Sequence, residues 1–315
     1  MMSLPTFEEI KAAHDRIRPY IHRTPVFSSK SINEMVGAEL FFKCENLQKV
    51  GAFKFRGACN SVFFLTDEEA GKGVCTHSSG NHAAALALAA RMRGIPAYIV
   101  MPENAPEIKK IAVAGYGAQI TFCKPTLEAR ESTLKMVAEQ TGAVEIHPYN
   151  YFHVICGQGT AAKELIEETT DLDVVMAPVG GGGLLSGTAL STRALLPNAL
   201  VIAAEPAGAD DAFRSFYSKV LVPSVAPQTI ADGLLTSLGS ITFQVILNEV
   251  DQIITVSEES IVRAMRMIWE RMKIIVEPSS AVPLAAILEN KALFSGKRTG
   301  IILSGGNVDL GKLPF

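Results

Sequence analysis

Four stretches of this 315-residue chain hold residues whose types and spacing could do chemistry. The first is PVGGGGLLSG, Pro178–Gly187, where four glycines follow an apolar run. Glycine loses more freedom on folding than any other residue, so four together weaken a strand or a helix. At the carboxyl end of a strand, bare backbone instead exposes several N–H groups. A helix that opens there adds a dipole favourable to an anion. A phosphate group is the natural guest. The pattern is not G-x-x-x-x-G-K-[ST] and no lysine follows, which disfavours a P-loop. Glu205 closes the next strand about 22 residues on, so a dinucleotide stays open. A plain flexible turn is the alternative.

The second stretch is KVGAFKFRGACN, with Lys54 between Phe53 and Phe55 and glycines at 51 and 57. Desolvation among aromatics lowers a lysine's proton affinity and leaves a nucleophilic amine, the requirement of a Schiff-base lysine. A lysine stem covering apolar surface is the bland alternative. The third is THSSGNH, Thr76–His82, small hydroxyls and an asparagine ahead of a helix start. Its N–H donors could hold a carboxylate, or its serines could simply cap the helix. The fourth is IILSGGNVD, Ile301–Asp309, a last apolar strand ending in Ser304 and two glycines. Such glycines permit a close approach of backbone to ligand, or a plain turn. EPAGADD adds Glu205 and Asp211 with Ala209 between them. Their spacing alone fits solvated acids after a strand.

The elements that must position these residues are legible in the periodicity. Thr6 and Glu9 form a capping box, and Ile10, Ala13, His14 and Ile17 recur at helical spacing after it, up to Pro19. A strand is predicted over 40–45 and a buried helix over 55–65. Strands are then predicted at 73–78, 97–101, 119–123 and 144–146, with helices over 81–94, 106–117 and 127–141 between them. Units of roughly 22–25 residues imply right-handed βαβ crossovers and a parallel sheet. A second series places strands at 173–178, 200–205, 252–256 and 299–304. Its helices fall over 159–169, 184–196, 210–218, 258–272 and 280–288. We therefore expect an α/β fold of two lobes with parallel-type sheets flanked by helices. Residues 73–146 form the small lobe, and 1–72 with 147–315 the large one. A cleft between lobes is the default small-molecule site.

Composition narrows the class. Apolar residues make up 48% and charged residues 19%, which is globular rather than disordered. The net charge of −3 comes without a basic run, which argues against nucleic acid. The five cysteines are widely spaced with no C-x-x-C pair, so buried reduced thiols are expected rather than disulfides or zinc. The amino terminus lacks an apolar h-region, and no stretch approaches 18 uninterrupted apolar residues. A cytoplasmic protein is expected. The chain stops shortly after the last strand, so no carboxyl-terminal regulatory domain is expected.

Taken in order, GAFKFRGA, SSGNHAAALA, PVGGGGLLSG, AAEPAGADD, IADGL, WERMKIIVEPSSA and LSGGNVDL resemble the fold-type II pyridoxal-phosphate enzymes, over nearly the whole chain. Within them the chain most resembles the serine racemase and threonine/serine dehydratase group. The resemblance implies that Lys54 forms the covalent imine to pyridoxal 5'-phosphate and that Phe53 packs on its ring. Gly180, Gly181, Gly182, Gly183 and Leu184 match the phosphate loop. Asn81 would bond the ring hydroxyl, and Ser304 would face the ring nitrogen. A serine cannot hold that nitrogen as a full pyridinium, so the ring is a weaker electron sink. Elimination and racemisation then suit the site better than transamination.

Lys54 is implied as the base on one face of the substrate Cα, and Ser79 as the second acid/base that racemisation needs. Dehydratases of the group often carry SAGNH in place of SSGNH. Serine at 79 therefore tilts toward racemase chemistry, although dehydratases favouring 3-hydroxyaspartate share it. Ser78, Ser79, Asn81 and His82 would cradle the substrate carboxylate, with Arg130 and Ser237 near the β-substituent. Glu205, Ala209 and Asp211 match the racemases' divalent-metal site, for Mg²⁺, Ca²⁺ or Mn²⁺. Gln48 and Lys49 fall where eukaryotic racemases bind ATP between subunits, a partial match. Trp269 is expected to pack. The implied protein is a homodimeric serine racemase with L-serine dehydratase activity, or a threonine or 3-hydroxyaspartate dehydratase. A silent pyridoxal-phosphate- or nucleotide-binding protein is the reading from another class.

Overall fold

The computed structural model describes residues 4–315. The stretch read for a targeting signal begins with residues 1–3, which lie outside the described residues. The strands are β1 (Val26–Phe27), β2 (Glu39–Cys44), β3 (Val74–His77), β4 (Ala97–Pro102) and β5 (Gln119–Cys123), then β6 (Val144–Glu145), β7 (Val174–Pro178), β8 (Leu200–Pro206), β9 (Gln252–Val256) and β10 (Arg298–Leu303). The helices of the first half are α1 (Phe7–Ile17), α2 (Lys30–Val36), α3 (Lys54–Phe64), α4 (Asp67–Lys72), α5 (Asn81–Arg93), α6 (Glu107–Gly115) and α7 (Leu127–Thr141). Those of the second half are α8 (Phe152–Glu168), α9 (Gly183–Leu195), α10 (Asp211–Ser218), α11 (Ser240–Glu249), α12 (Glu258–Met272), α13 (Pro278–Glu289) and α14 (Lys291–Phe294).

Two sheets result. The larger runs β1-β2-β10-β7-β8-β9, and the smaller β5-β4-β3-β6. Every pairing is parallel except β1 with β2. The chain writes β7 and β8 as near-continuous apolar runs because helices cover both faces of the sheet. One core packs α2, α12 and α13 on one face. Another packs α8, α9 and α10 on the other. The small sheet is sandwiched between α5 on one face and α7 on the other. Both sheets therefore point the carboxyl ends of their strands into loops that open on to helices, where ligands of such sheets bind.

Most boundaries fall within a residue or two of the sequence expectation. Ile10, Ala13, His14 and Ile17 are the buried face of α1, as the spacing predicts. Among the expected helices the large discrepancy is α8, which begins at Phe152 and not at Gly159, and α2, α4 and α11 were not expected at all. Gly157 and Gly159 look like breakers in the sequence, but they are contact points. A β-carbon on Gly157 would stand 2.6 Å from the Arg56 carbonyl oxygen, and one on Gly159 2.9 Å from that of Gly187. Bare backbone there lets α8 lie close against both α3 and α9. All five cysteines are buried and unpaired, as expected. Among the described residues, no helix is long and apolar enough to cross a membrane.

Candidate active site

Lys54 is the first residue of α3, and it is part-buried. Nζ donates to the carbonyl of Pro148 at 2.9 Å and lies 5.2 Å from the centroid of the Phe53 ring. Burial pulls the amine's proton affinity down to about 8, with Glu277 opposing the fall. A charge-saturated anchor fixes α3 two residues further on. Arg56 is fully buried and bonds both Glu45, after β2, and Glu164, on α8, at 2.7 Å each. Five guanidinium bonds to carboxylates and Thr160 leave that group satisfied. The lysine is thus carried on a helix start with little freedom to drift.

The glycine run lies between β7 and α9, in front of the helix N-terminus, where the first N–H groups lack intrahelical acceptors. Gly182 takes φ +86, a conformation open to glycine. Gly181 has a different reason: a β-carbon there would clash with the ring of Tyr149. The loop is therefore shaped on one side by an aromatic side chain that sequence reasoning missed. A cradle of bare N–H groups at a helix start, packed on Tyr149 next to the Pro148 carbonyl that Lys54 bonds, fits the phosphate of pyridoxal 5'-phosphate.

The other end of the cleft is built on β10. Phe53 N–H donates to the Ser304 carbonyl at 2.9 Å, which ties the lysine's neighbour to the strand end. Ser304 is buried, its hydroxyl 3.2 Å from that of Ser280. Ser280 spends its own hydrogen on the Gly305 carbonyl at 2.6 Å. The Ser304 hydroxyl is then the donor of the pair, and it would turn from Ser280 to meet a ring nitrogen. Asn81 opens α5 and donates to both carboxylate oxygens of Glu277 at 3.1 Å. Its own carbonyl accepts from Asn307 at 2.9 Å. Ser280, Glu277 and Asn307 were not foreseen. The one signal for Glu277 is its place just before Pro278 at a helix start, and that does not tell which way the carboxylate turns.

Ser78 and Ser79 form the half-buried turn between β3 and α5. Ser78 Oγ accepts weakly from Gly80 N–H at 3.4 Å. His82 is committed elsewhere. Its ring is buried and Nε2 donates to the Ile146 carbonyl at 3.0 Å. Burial first, then Lys54, pushes its proton affinity down to about 3, so it is a neutral ring. Any share His82 has in a carboxylate cradle belongs to its backbone N–H. Arg130, on α7, keeps a buried Nε with no hydrogen-bond partner. Ser237 Oγ accepts from Ser224 N–H at 2.8 Å.

Glu205 closes β8, fully buried, and accepts from Ala212 and Phe213 N–H at 2.9 and 2.8 Å. Burial first, with Asp211 and Asp210 adding, pushes its proton affinity up to about 9. Asp211 is 1% exposed with both carboxylate oxygens lacking a hydrogen-bond partner, and stands at about 6, also through burial. Ala209 is buried in the turn between them. Unpaired buried carboxylates are costly. The unpartnered Asp211 beside the backbone-bonded Glu205, with a carbonyl between, suits a hard divalent cation, although among the described residues no three His, Cys, Asp or Glu side chains converge as a metal cluster. Gln48 does not suit a nucleotide. Its amide oxygen accepts from His22 and Lys49 N–H, and its amide nitrogen donates to the His22 carbonyl. Lys49 lies over the Phe55 ring. Trp269 packs against Phe315 and donates to the Val276 carbonyl, as packing requires.

Comparison with known proteins agrees with this geometry. The chain is 54% identical to the beta-hydroxyaspartate dehydratase of Paracoccus denitrificans, over the full length of both. It is equally 54% identical to the serine racemase of Dictyostelium discoideum, over 99% of this chain and 98% of that one. The crystal structure of the Dictyostelium racemase superposes with a TM-score of 0.94, covering 98% of this chain and all of the other. Residues 17–305 match the family described as pyridoxal-phosphate dependent enzyme. With a part-buried lysine at a helix start, a glycine cradle and a serine at the far strand end, the chain belongs to the pyridoxal-phosphate-dependent enzymes of the fold-type II class.

Proposed function

We propose that this enzyme is a serine racemase that also dehydrates L-serine to pyruvate and ammonia. The observation that carries the reading is the pair Lys54 and Ser79. Lys54 is a desolvated amine with its proton affinity near 8. Ser79 is a half-buried hydroxyl on the turn between β3 and α5. The relatives named serine racemase support it, and the relative named beta-hydroxyaspartate dehydratase, at the same identity, supports the alternative below.

Bound pyridoxal 5'-phosphate supplies electron withdrawal from the substrate Cα. Lys54 holds it covalently, and the Gly180–Gly183 N–H groups with that of Leu184 hold its phosphate. Phe53 packs on the ring, Asn81 bonds the ring oxygen, and Ser304 donates to the ring nitrogen. The Ser78–Asn81 turn and the His82 N–H hold the substrate carboxylate. Lys54 takes the Cα proton from one face, and Ser79 delivers one to the other, which inverts the centre. Where the Cβ–O bond breaks instead, the β-hydroxyl takes a proton and leaves as water, and hydrolysis then consumes one water to release ammonia and the keto acid. Residues 73–146 act as the lobe that closes over the substrate. Glu205, Ala209 and Asp211 hold Mg²⁺, Ca²⁺ or Mn²⁺, and the active form is a homodimer in the cytoplasm.

One observation favours a second reading. The unpartnered buried Nε of Arg130 awaits an acceptor, and a β-carboxylate would supply it. Dehydration of 3-hydroxyaspartate is therefore the alternative. Assaying serine, threonine and 3-hydroxyaspartate for keto acid and for inverted isomer separates the two. D-serine from L-serine at a rate comparable to pyruvate supports the racemase. Keto acid from 3-hydroxyaspartate alone overturns it.

A further inference from the structure

We propose that Thr242 is a positioning residue for the cofactor phosphate: its hydroxyl locks the Gly181–Gly182 peptide with the N–H turned toward the anion. The proposal rests on the glycine run being the phosphate cradle.

The need for a lock lies in the glycines themselves. A planar peptide turns over as a unit when ψ of the residue before it and φ of the residue after it change together. Side chains on those two residues normally resist the turn, and between two glycines there are none. The bareness that exposes N–H groups to a phosphate therefore also lets them swing away. A reversed Gly181–Gly182 peptide would aim its carbonyl oxygen where its N–H had been, and that oxygen repels an anion. The run needs a contact that selects one orientation.

Thr242 supplies it from outside the run. It lies in the first turn of α11 and is fully buried. Its hydroxyl donates to the Gly181 carbonyl at 2.8 Å and accepts from the Gly239 N–H at 2.9 Å. The Gly239 carbonyl lies 3.1 Å from the same hydroxyl, but the Phe243 N–H already donates to it at 2.8 Å. The single hydroxyl hydrogen is thus left for Gly181. In a trans peptide the C=O and N–H point in opposite directions, so a carbonyl held by Thr242 turns the Gly182 N–H away from α11. Gly182 is left-handed at φ +86, and Gly183 after it is the first helical residue of α9. Such a change of hand gathers successive N–H groups into an anion-binding nest. A β-carbon on Gly182 would stand 2.9 Å from Thr242 Cβ, so α11 backs the loop directly. The start of α11 is itself held, since the Ile241 N–H donates to Asn150 Oδ1 at 2.9 Å. Asn150 follows Tyr149, whose ring flanks Gly181. Gly181 is therefore fixed at its carbonyl by Thr242 and at its α-carbon by Tyr149.

The test is an equilibrium titration of the cofactor-free protein with pyridoxal 5'-phosphate and, separately, with pyridoxal. Wild type, Thr242→Val and Thr242→Ser are compared. Thr242→Val keeps the shape and removes the hydroxyl. It should weaken binding of the phosphate ester about tenfold or more, the usual worth of a hydrogen bond to a charged group, and leave pyridoxal within about threefold. The Gly239 N–H loses its acceptor too, a cost that both compounds share. Thr242→Ser keeps the hydroxyl and should stay within about threefold of wild type on both. Equal losses for the two compounds in Thr242→Val, or no loss, overturn the proposal. A wild type that binds pyridoxal as tightly as its phosphate ester refutes the phosphate cradle, and the proposal falls with it. Should Thr242→Val fail to fold, Thr242→Cys decides. Its thiol is a weak donor, so the preference for the phosphate ester should still fall several-fold, and an unchanged preference overturns the proposal.

Discussion

Lys54 Nζ donates to the carbonyl oxygen of Pro148 at 2.9 Å, and that carbonyl is a neutral acceptor. Burial, with no carboxylate taking the bond, lowers the amine's proton affinity to about 8 from its ordinary 10.5. Capture of pyridoxal 5'-phosphate by the cofactor-free protein needs the free amine. Its rate should rise about tenfold per unit below pH 8 and level off above. Stopped-flow absorbance over that range checks it, and Lys54→Ala should show neither the visible band nor turnover. A rate still climbing steeply toward pH 10 would return Lys54 to an ordinary lysine.

Gly181 packs against the ring of Tyr149. Gly181→Ala places a methyl against that ring, an overpacking that costs about 1–3 kcal/mol. Cofactor affinity should fall tenfold or more. Tyr149→Ala in the same chain removes the clash and should recover part of the loss. Equilibrium titration of cofactor in the two single variants and the double reads the coupling. Additive losses would mean that Tyr149 does not shape the loop.

The run of glycines was legible as an anion cradle, and Lys54 as an unusual amine, because composition alone marks both. Tyr149, Glu277 and Asn307 were not legible. Each acts through a partner far along the chain: Tyr149 on Gly181 and Glu277 on Asn81. No local spacing carries that information. Gly157 and Gly159 misled in the opposite sense, since a glycine that permits helix contact reads like one that ends a helix. His82 sits in the right motif, but its ring turns to the Ile146 carbonyl, a choice made by tertiary packing.

Ser79→Ala separates the two activities. It leaves Lys54 untouched and removes the second proton donor. Racemisation should fall at least about 100-fold, the usual worth of an acid/base group, while elimination from L-serine changes only a few-fold. Parallel assays of D-serine and pyruvate on one preparation decide it. Equal loss of both would strip Ser79 of that role.

Arg130→Gln keeps hydrogen-bonding capacity and removes the charge. If the unpartnered Nε faces the β-substituent, kcat/KM for 3-hydroxyaspartate should drop about tenfold or more, with serine nearly unaffected. The same loss on both substrates would place Arg130 in the fold rather than in selection.

The carboxylates Glu205 and Asp211 predict how stability follows pH. Both have proton affinities raised in the folded chain, to about 9 and about 6, over their ordinary values of 4.5 and 3.8. Between those limits the folded state binds more protons than the unfolded one. Stability from these groups is therefore complete below about pH 4 and is lost as pH rises through 6 and then 9. A divalent cation favours the ionised pair and should offset the loss, more so at higher pH. In chelator, the melting temperature should decline from about pH 5 to about pH 9 relative to Glu205→Gln, whose neutral amide cannot titrate. Mg²⁺ should raise the wild-type melting temperature at pH 8 far more than at pH 5, and should leave Asp211→Ala unmoved. A Mg²⁺ effect independent of pH, or retained in Asp211→Ala, would place the cation elsewhere.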